Sequence, residues 1–441
     1  MRSDLKMIKE FEGKVAVITG GGSGIGRSMA HTFANRGMKI VIADIDENAL
    51  NKVTQQLKEM GTAVLSLVVD VSDHKQVAKL ADDTYKHFGV CNILCNNAGT
   101  VGGEGPAHLL ELGDWDWTLG VNLFGVIYGI KFFLKRMLDS KEPCHIVNTA
   151  SIAGLIAGGG PYTASKFAVV AISEMLALQC FNTNVSVSVL CPGFVSTNIF
   201  ENTIAQRETR TDVYHLPPAM EDAMKPYIED TIQVMNSGLS PDLVAEMVIK
   251  AIEQDILFII THPQYMNYVK RRVERINNDS LKLLKEFPPK EREIQIKTYN
   301  YDKEHISFSI SYPDYLIEIN PPLISRKQVF AATDGSFQDL EVHVSRIPKN
   351  MRLEDATEGI ADILKNFGNN IKIVSNKQIK LKDGTSANEG EIYYKYRGYR
   401  EITSHHVSTF KENKWIRISI YAGIFENNED LKKIVHSLEF K

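Results

Sequence analysis

Between Lys14 and about Ile260 the chain alternates seven short β-branched runs with helix-length amphipathic stretches, a pattern that leaves few folds open. The runs are Val15–Thr19, Lys39–Ala43, Ala63–Val69, Asn92–Asn96, His145–Thr149, Val185–Leu190 and Leu257–Ile260. Parallel strands need a crossover connection, usually a helix, and helices laid on both faces leave the strands between them apolar on both sides. The alternation therefore predicts an α/β unit with about seven parallel strands.

A charged helical stretch, Tyr265 to Glu286, follows and stops at Phe287-Pro288-Pro289-Lys290, where two prolines forbid continuation. This divides the 441 residues into a first domain, 1–286, a linker, 287–295, and a smaller second domain, 296–441. In the second, Ile306–Tyr312, Glu391–Tyr399 and Trp415–Tyr421 alternate polar and apolar residues, as antiparallel strands with one solvated face do. Arg352–Phe367 and Asn428–Ser437 carry helical patterns, which makes this part α+β.

Charge narrows the partners. With 50 basic and 54 acidic residues interspersed, the net charge of -4 supplies no field to neutralise a phosphate backbone, so neither nucleic acid nor an anionic membrane surface is expected. Met1 to Gly13 is polar and no long uninterrupted apolar run occurs, so a cytoplasmic protein is expected. Five cysteines (Cys91, Cys95, Cys144, Cys180, Cys191), an odd count without C-x-x-C spacing, read as buried reduced thiols, and no metal site is expected. In that compartment the sequons at Asn184 and Asn278 are chance matches.

Directly after the first run comes Thr19-Gly-Gly-Gly-Ser-Gly-Ile-Gly26, opening a helix expected to begin near Arg27. Glycines there permit a tight turn and let the backbone of Gly20, Ser23, Gly24, Ile25 and Gly26 approach a pyrophosphate at the positive end of the helix. The second run ends in Asp44, placed to accept the two hydroxyls of an adenosine ribose. No lysine or arginine adjoins it and Asp46 follows, so a 2′-phosphate is repelled and NAD is expected over NADP. The plainer reading of Asp44 is a solvated cap of the next helix.

Further along stand Asn96-Asn97-Ala98-Gly99, Gly120-Val121-Asn122, Thr149-Ala150-Ser151, Tyr162-x-x-x-Lys166 and Pro192-Gly193. Together and in order with the glycine turn, over residues 10 to 285, they resemble the short-chain dehydrogenase/reductase family. The resemblance implies a Rossmann-like doubly wound parallel sheet and hydride transfer between nicotinamide and a secondary alcohol or ketone. The chemistry gives each residue type a reason. A free phenol titrates near 10, whereas a lysine at i+4 sets an ammonium on the same helix face and, with the cationic nicotinamide, favours the phenolate, making Tyr162 a usable acid/base.

By resemblance, Lys166 also holds the nicotinamide ribose, Ser151 hydrogen-bonds the substrate oxygen and Asn122 positions a water in a proton relay. The same source places Asp70 and Val71 at the adenine, Asn97, Ala98 and Gly99 along the cofactor, and Pro192, Gly193, Val195 and Thr197 at the carboxamide. Asn96 reads instead as a tie within the sheet. Tyr299 and Lys303 repeat Y-x-x-x-K outside the α/β region with no serine upstream, a chance match. Ser151 precedes Tyr162 by eleven positions, one or two short of the family's usual spacing, with Thr149 the substitute hydroxyl should Ser151 fall short.

From Asn198 to Gly238 lies the segment where the family carries its substrate lid, here with Phe200, Met220, Met224, Tyr227 and Met235, residues that core or helix-surface packing explains equally well. A bulky hydrophobic alcohol or ketone, steroid-like or aryl-alkyl, is the expected partner; Asp114–Leu123 and Gly238–Ile260 resemble bacterial dehydrogenases of benzylic alcohols. The helices after Asn122 and around Tyr162 imply a homodimer or homotetramer. Phe308–Pro313, a hairpin at Glu412–Lys414 and Ser437–Phe440 resemble PsbP-like domains. On a strand, His405 and His406 point to opposite faces and cannot share a metal. The competing function is a non-catalytic NAD-binding sensor or scaffold acting through the second domain. Epimerases of the extended branch are disfavoured by the glycine spacing.

Overall fold

The computed structural model describes residues 7–103, 107–181, 183–215, 226 and 229–287 and, beyond 287, the strands and helices named below. It divides into two compact units, Arg2–Glu286 and Phe287–Lys441 with Met1.

The first unit carries β1 (Val15–Thr19), β2 (Lys39–Asp44), β3 (Val64–Val68), β4 (Ile93–Asn96), β5 (Cys144–Thr149), β6 (Val185–Cys191) and β7 (Phe258–Ile260). All pairs are parallel, in the order β3-β2-β1-β4-β5-β6-β7, so the sheet winds outward both ways from β1 and β4. This is the doubly wound Rossmann-like fold that the alternation predicts. Ligands in such sheets bind beyond the carboxyl ends of the strands, where the winding reverses, here between β1 and β4.

Helices α1 (Gly24–Ala34), α2 (Glu47–Glu59), α3 (His74–Phe88), α4 (Leu112–Leu119), α5 (Gly125–Ser140), α6 (Gly160–Gln179), α7 (Ile199–Glu208), α8 (Pro241–Gln254) and α9 (Met266–Glu286) complete the unit. On one side of the sheet Phe33, Ile40, Ile42, Val248 and Ile252 form a core; on the other Val15, Val41, Leu94, Phe133 and Met137 do, all essentially inaccessible. α1 starts three residues before the expected Arg27, because Ser23 already adopts the extended N-cap conformation. Asn96 donates to Asn148 Oδ1 at 2.8 Å, tying β4 to β5. The run Leu112–Ser140 is long and apolar enough by composition to cross a membrane. Its Phe133 and Met137 are wholly buried in the core beside β4 and β5.

The five cysteines are buried and none is in a disulfide. Asn184 spends its side-chain amide on the carbonyls of Met137 and Glu142, at 2.8 and 2.6 Å.

The second unit holds a seven-stranded antiparallel sheet: β10 (Ile317–Glu318), β11 (Gln328–Thr333), β12 (Asp339–Arg346), β16 (Lys414–Gly423), β15 (Arg400–Lys411), β14 (Ser386–Tyr396) and β13 (Gly368–Lys380), in that spatial order. A three-stranded sheet joins β17 (Glu439–Phe440), β9 (Ile306–Pro313) and β8 (Ile296–Lys303). Helix α10 (Ala356–Leu364) packs Ile360 and Leu364 against Ile392 and Trp415. The α+β expectation holds, but the solvated face does not. At the centre of the large sheet Val407, Ile416 and Ile418 are buried on one side, and Ser404, His406, Ser408 and Ser419 on the other. The polar side survives burial through mutual hydrogen bonds, His406 lying 2.8 Å from both Ser404 Oγ and Ser419 Oγ. Asn428–Ser437, the residues 412–413 of the hairpin and the linker 288–295 lie outside the described residues.

Candidate active site

One cavity opens along the carboxyl ends of the strands, about 370 Å³ in volume. Its first wall is the glycine turn. Gly20 and Gly24 have φ of 65° and 49°, and a methyl on Gly20 would lie 2.8 Å from Ala98 Cα, so the turn and the Ala98 backbone approach as only glycine allows. Helices α2 and α3 are capped by Asp46 and Asp73, whose carboxylates accept from Ala49 and Lys75. At α1 the Ser23 hydroxyl makes no capping bond and the first turn holds no acid, which leaves its amides for an outside acceptor. Gly26 does not line the cavity: a side chain there would strike the Gly20 carbonyl, so it serves the close packing of turn on helix.

Asp44, at the end of β2, accepts from Gly22 N at 2.8 Å and Asp46 N at 3.1 Å, fixing the carboxylate at the rim. With Ile45, Asp70, Val71 and Ser72 it forms one end of the cavity, where no cation stands among the described lining residues. Asp70 accepts from the Ser72 amide and hydroxyl at 2.9 and 2.7 Å. A dinucleotide fits this donor set: open helix amides for a diphosphate, a fixed carboxylate for ribose hydroxyls.

Across the cavity stand Ser151, Tyr162 and Lys166, with Asn97, Ala98, Gly99, Pro192, Gly193, Val195 and Thr197. Tyr162 and Lys166 lie one turn apart on α6, and Lys166 Nζ is 5.6 Å from the Tyr162 ring centroid. Lys166 is 3% exposed and donates to the Thr149 carbonyl at 3.1 Å. Burial pulls its ammonium down to about 8, only partly offset by the neighbouring Cys191. Despite the short spacing, Ser151 reaches the cavity wall, because a single 3₁₀ turn, Ile152–Gly154, returns the chain to α6. Its hydroxyl accepts from Ala153 N at 3.1 Å and faces the Pro192 carbonyl at 3.4 Å. Thr149, the alternative, is engaged by Asn97 Oδ1 at 3.2 Å.

Asn122 does not line the cavity. It sits fully buried in a π-helical segment, Gly120–Phe124, between α4 and α5, and its amide is spent on Thr100 N, Thr100 O and Ser165 Oγ at 2.8, 2.9 and 3.2 Å. A methyl on Gly99 would meet both Asn122 Oδ1, at 3.3 Å, and Lys166 Nζ, at 3.6 Å. Asn122 therefore fixes the wall beside Lys166 and leaves its backbone in a π-helical stretch that departs from regular α-helix.

The outer wall comes from the expected lid, though by different residues. Ile199, Asn202, Thr203, Gln206, Thr209, Arg210 and Met235 line it with Trp117 of α4. Of the apolar residues read from the sequence Met235 takes part and Phe200 does not; Met220, Met224 and Tyr227 lie outside the described residues. Sequence reading missed what holds this wall. Asp114, fully buried, accepts from Glu111 N and Tyr214 N at 3.0 and 2.9 Å and pairs with Arg207 at 3.8 Å. Arg210 stacks 5.1 Å from the Trp117 ring. The reciprocal Glu111 and Asp114 cap on α4 was visible as a short acidic pattern; the partner at Tyr214, a hundred residues away, was not.

Comparison with known proteins agrees with this geometry. Residues 14–208 match the family model of short chain dehydrogenases. A CLA biosynthesis dehydrogenase/reductase of Lactiplantibacillus plantarum is 35% identical over 285 residues, 62% of this chain and 96% of the relative. A 3beta-hydroxysteroid dehydrogenase 2 of Eggerthella lenta is 38% identical over 189 residues, 42% of this chain and 73% of the relative. The crystal structure of a short chain dehydrogenase/reductase from Burkholderia phymatum in complex with NAD superposes with a TM-score of 0.55 at 39% identity, covering 62% of this chain and 97% of that one. By the family model, by relatives covered over nearly their whole length and by the matching solved fold, this chain belongs to the short-chain dehydrogenase family as an NAD(P)-dependent oxidoreductase of alcohols.

Proposed function

We propose that the protein interconverts a bulky, largely apolar secondary alcohol and its ketone with NAD as partner, using Tyr162 as acid/base. The observation that carries this is that Tyr162, Lys166 and Ser151 line the same cavity as the glycine turn and Asp44.

Bound along that cavity, a nicotinamide dinucleotide supplies an acceptor for the hydrogen and two electrons of a carbinol carbon. Tyr162 takes the carbinol proton on its phenolic oxygen in one direction and returns it in the other. Lys166 favours the phenolate through its charge and, with two donors beyond the one given to Thr149, holds the ribose on the nicotinamide side. Ser151 donates to the substrate oxygen and orients it toward Tyr162. Asn122 acts through position, holding Thr100 and the Gly99 wall. Asp44 accepts from the adenosine ribose hydroxyls and repels a 2′-phosphate, while Asp70 and Val71 border the adenine, and Pro192, Gly193, Val195 and Thr197 the carboxamide. Trp117, Ile199 and Met235 offer apolar surface, and Asn202, Gln206 and Arg210 a polar margin, to an extended substrate.

A fluorescence assay of reduced nicotinamide, run with steroidal and aryl-alkyl secondary alcohols and with either dinucleotide, tests the reading. The native chain is expected to reduce NAD in preference to NADP, and Asp44→Arg to move that preference toward NADP at least about tenfold, the effect of ~1.4 kcal/mol of differential binding. No turnover with any alcohol, or an unaltered preference in the variant, would contradict it.

A further inference from the structure

Helix α9 stands apart from the body of the first unit: from Lys270 to Leu283 every residue is exposed. Its 21 residues make a rod of about 31 Å. A free rod of this kind is expected to be polar all round, and this one is not. Met266, Val269, Val273, Ile276, Ser280, Leu283 and Phe287 recur at alternating steps of three and four, the spacing of a coiled-coil seam. Val273, Ile276 and Leu283 are 55, 56 and 60% exposed.

We propose that α9 is a self-association helix, pairing antiparallel with α9 of a second copy of this chain. Charge selects the occupant and the direction. Seam residues meet as Met266 with Leu283, Val269 with Ser280 and Val273 with Ile276 about a two-fold axis between Glu274 and Arg275. That register brings Arg272, flanking the seam, opposite Asp279 of the other copy, twice by symmetry. The parallel arrangement sets Arg272 opposite Asn277 and Asp279 opposite Leu284, with no ion pair. Sliding the antiparallel register one step places Asp279 against itself. Within its own chain Asp279 already lies 3.8 Å from Arg275 and 3.4 Å from Lys282, and Arg272 leans over Phe167 at 5.0 Å. Single charge changes therefore have local effects, which the swap experiment separates from pairing.

The test is the mass of the full chain by sedimentation velocity at micromolar concentration. Arg272→Asp and Asp279→Arg are each expected to halve the particle, to whatever assembly the first units form by themselves, and the double swap to restore it. Val273→Asp with Ile276→Asp is expected to halve it irreversibly. Rescue by the swap is an outcome that no local role of either residue produces. A mass unchanged in every variant would overturn the proposal by showing the stripe covered within one chain. So would flotation of the native chain with phosphatidylglycerol vesicles that the Val273 and Ile276 changes abolish, since that assigns α9 to a lipid surface.

Discussion

Lys166 carries the sharpest conflict between stability and chemistry in the molecule. The proposed reaction needs its ammonium beside Tyr162, yet burial brings its titration from the ordinary lysine value of 10.5 down to about 8. The difference corresponds to about 3 kcal/mol by which the fold disfavours the charged form. The unfolded chain keeps that proton up to 10.5 and the folded chain only to about 8. Stability of the cofactor-free protein is thus predicted to climb with pH between those values and to lose that increment as pH falls back through about 8. Lys166→Met removes the buried charge and the Thr149 bond together. In urea unfolding at pH 7 it is expected to be more stable than the native chain by about 2 kcal/mol, after about 1 kcal/mol for the lost hydrogen bond, while turnover falls by two orders of magnitude or more. A variant less stable than the native chain at that pH would show that the lysine is held for structure.

Elements were legible where local pattern and tertiary role coincide. β1 and β2 have apolar, buried interiors, Val15–Ile18 and Ile40–Ala43, and their ends fall within a residue of the sequence reading. The π segment between α4 and α5 was not legible, because Gly120-Val121-Asn122 has no composition that distinguishes i to i+5 bonding from ordinary helix; buried demands of Asn122 on Thr100 and Ser165 impose it. What tethers the outer wall was not legible for a similar reason: a buried carboxylate holds it through a partner a hundred residues away. Asp114 ties α4 to the turn after α7 through the Tyr214 amide and Arg207. Asp114→Asn keeps an acceptor and removes the charge. It is predicted to raise KM for the alcohol about tenfold while leaving dinucleotide affinity unchanged, the signature of a loosened substrate wall. An equal loss in both affinities would place the defect in the cofactor half instead.

At the scale of the whole molecule the residues with candidate roles all fall in the first unit, between Gly20 and Met235. The glycine turn, Asp44, Asn97 to Gly99, Ser151 and Pro192-Gly193 follow strand ends that the sheet order carries to one crevice, β1 and β4 meeting at the reversal, while α6 brings Tyr162 and Lys166 to it. The second unit was far less readable. Its strands β10 to β13 drew no reading, and its solvated face is buried, since Ser404, His406 and Ser419 look like surface residues until their mutual bonds are seen. The account as a whole rests on one phenol exchanging protons in that crevice. Its most direct test is Tyr162→Phe in the full chain, measuring NADH binding by fluorescence and alcohol oxidation side by side. The expected result is dinucleotide affinity within about twofold of native with oxidation reduced about a thousandfold or more. Oxidation at the native rate in that variant would contradict the assignment of Tyr162 and the mechanism built on it.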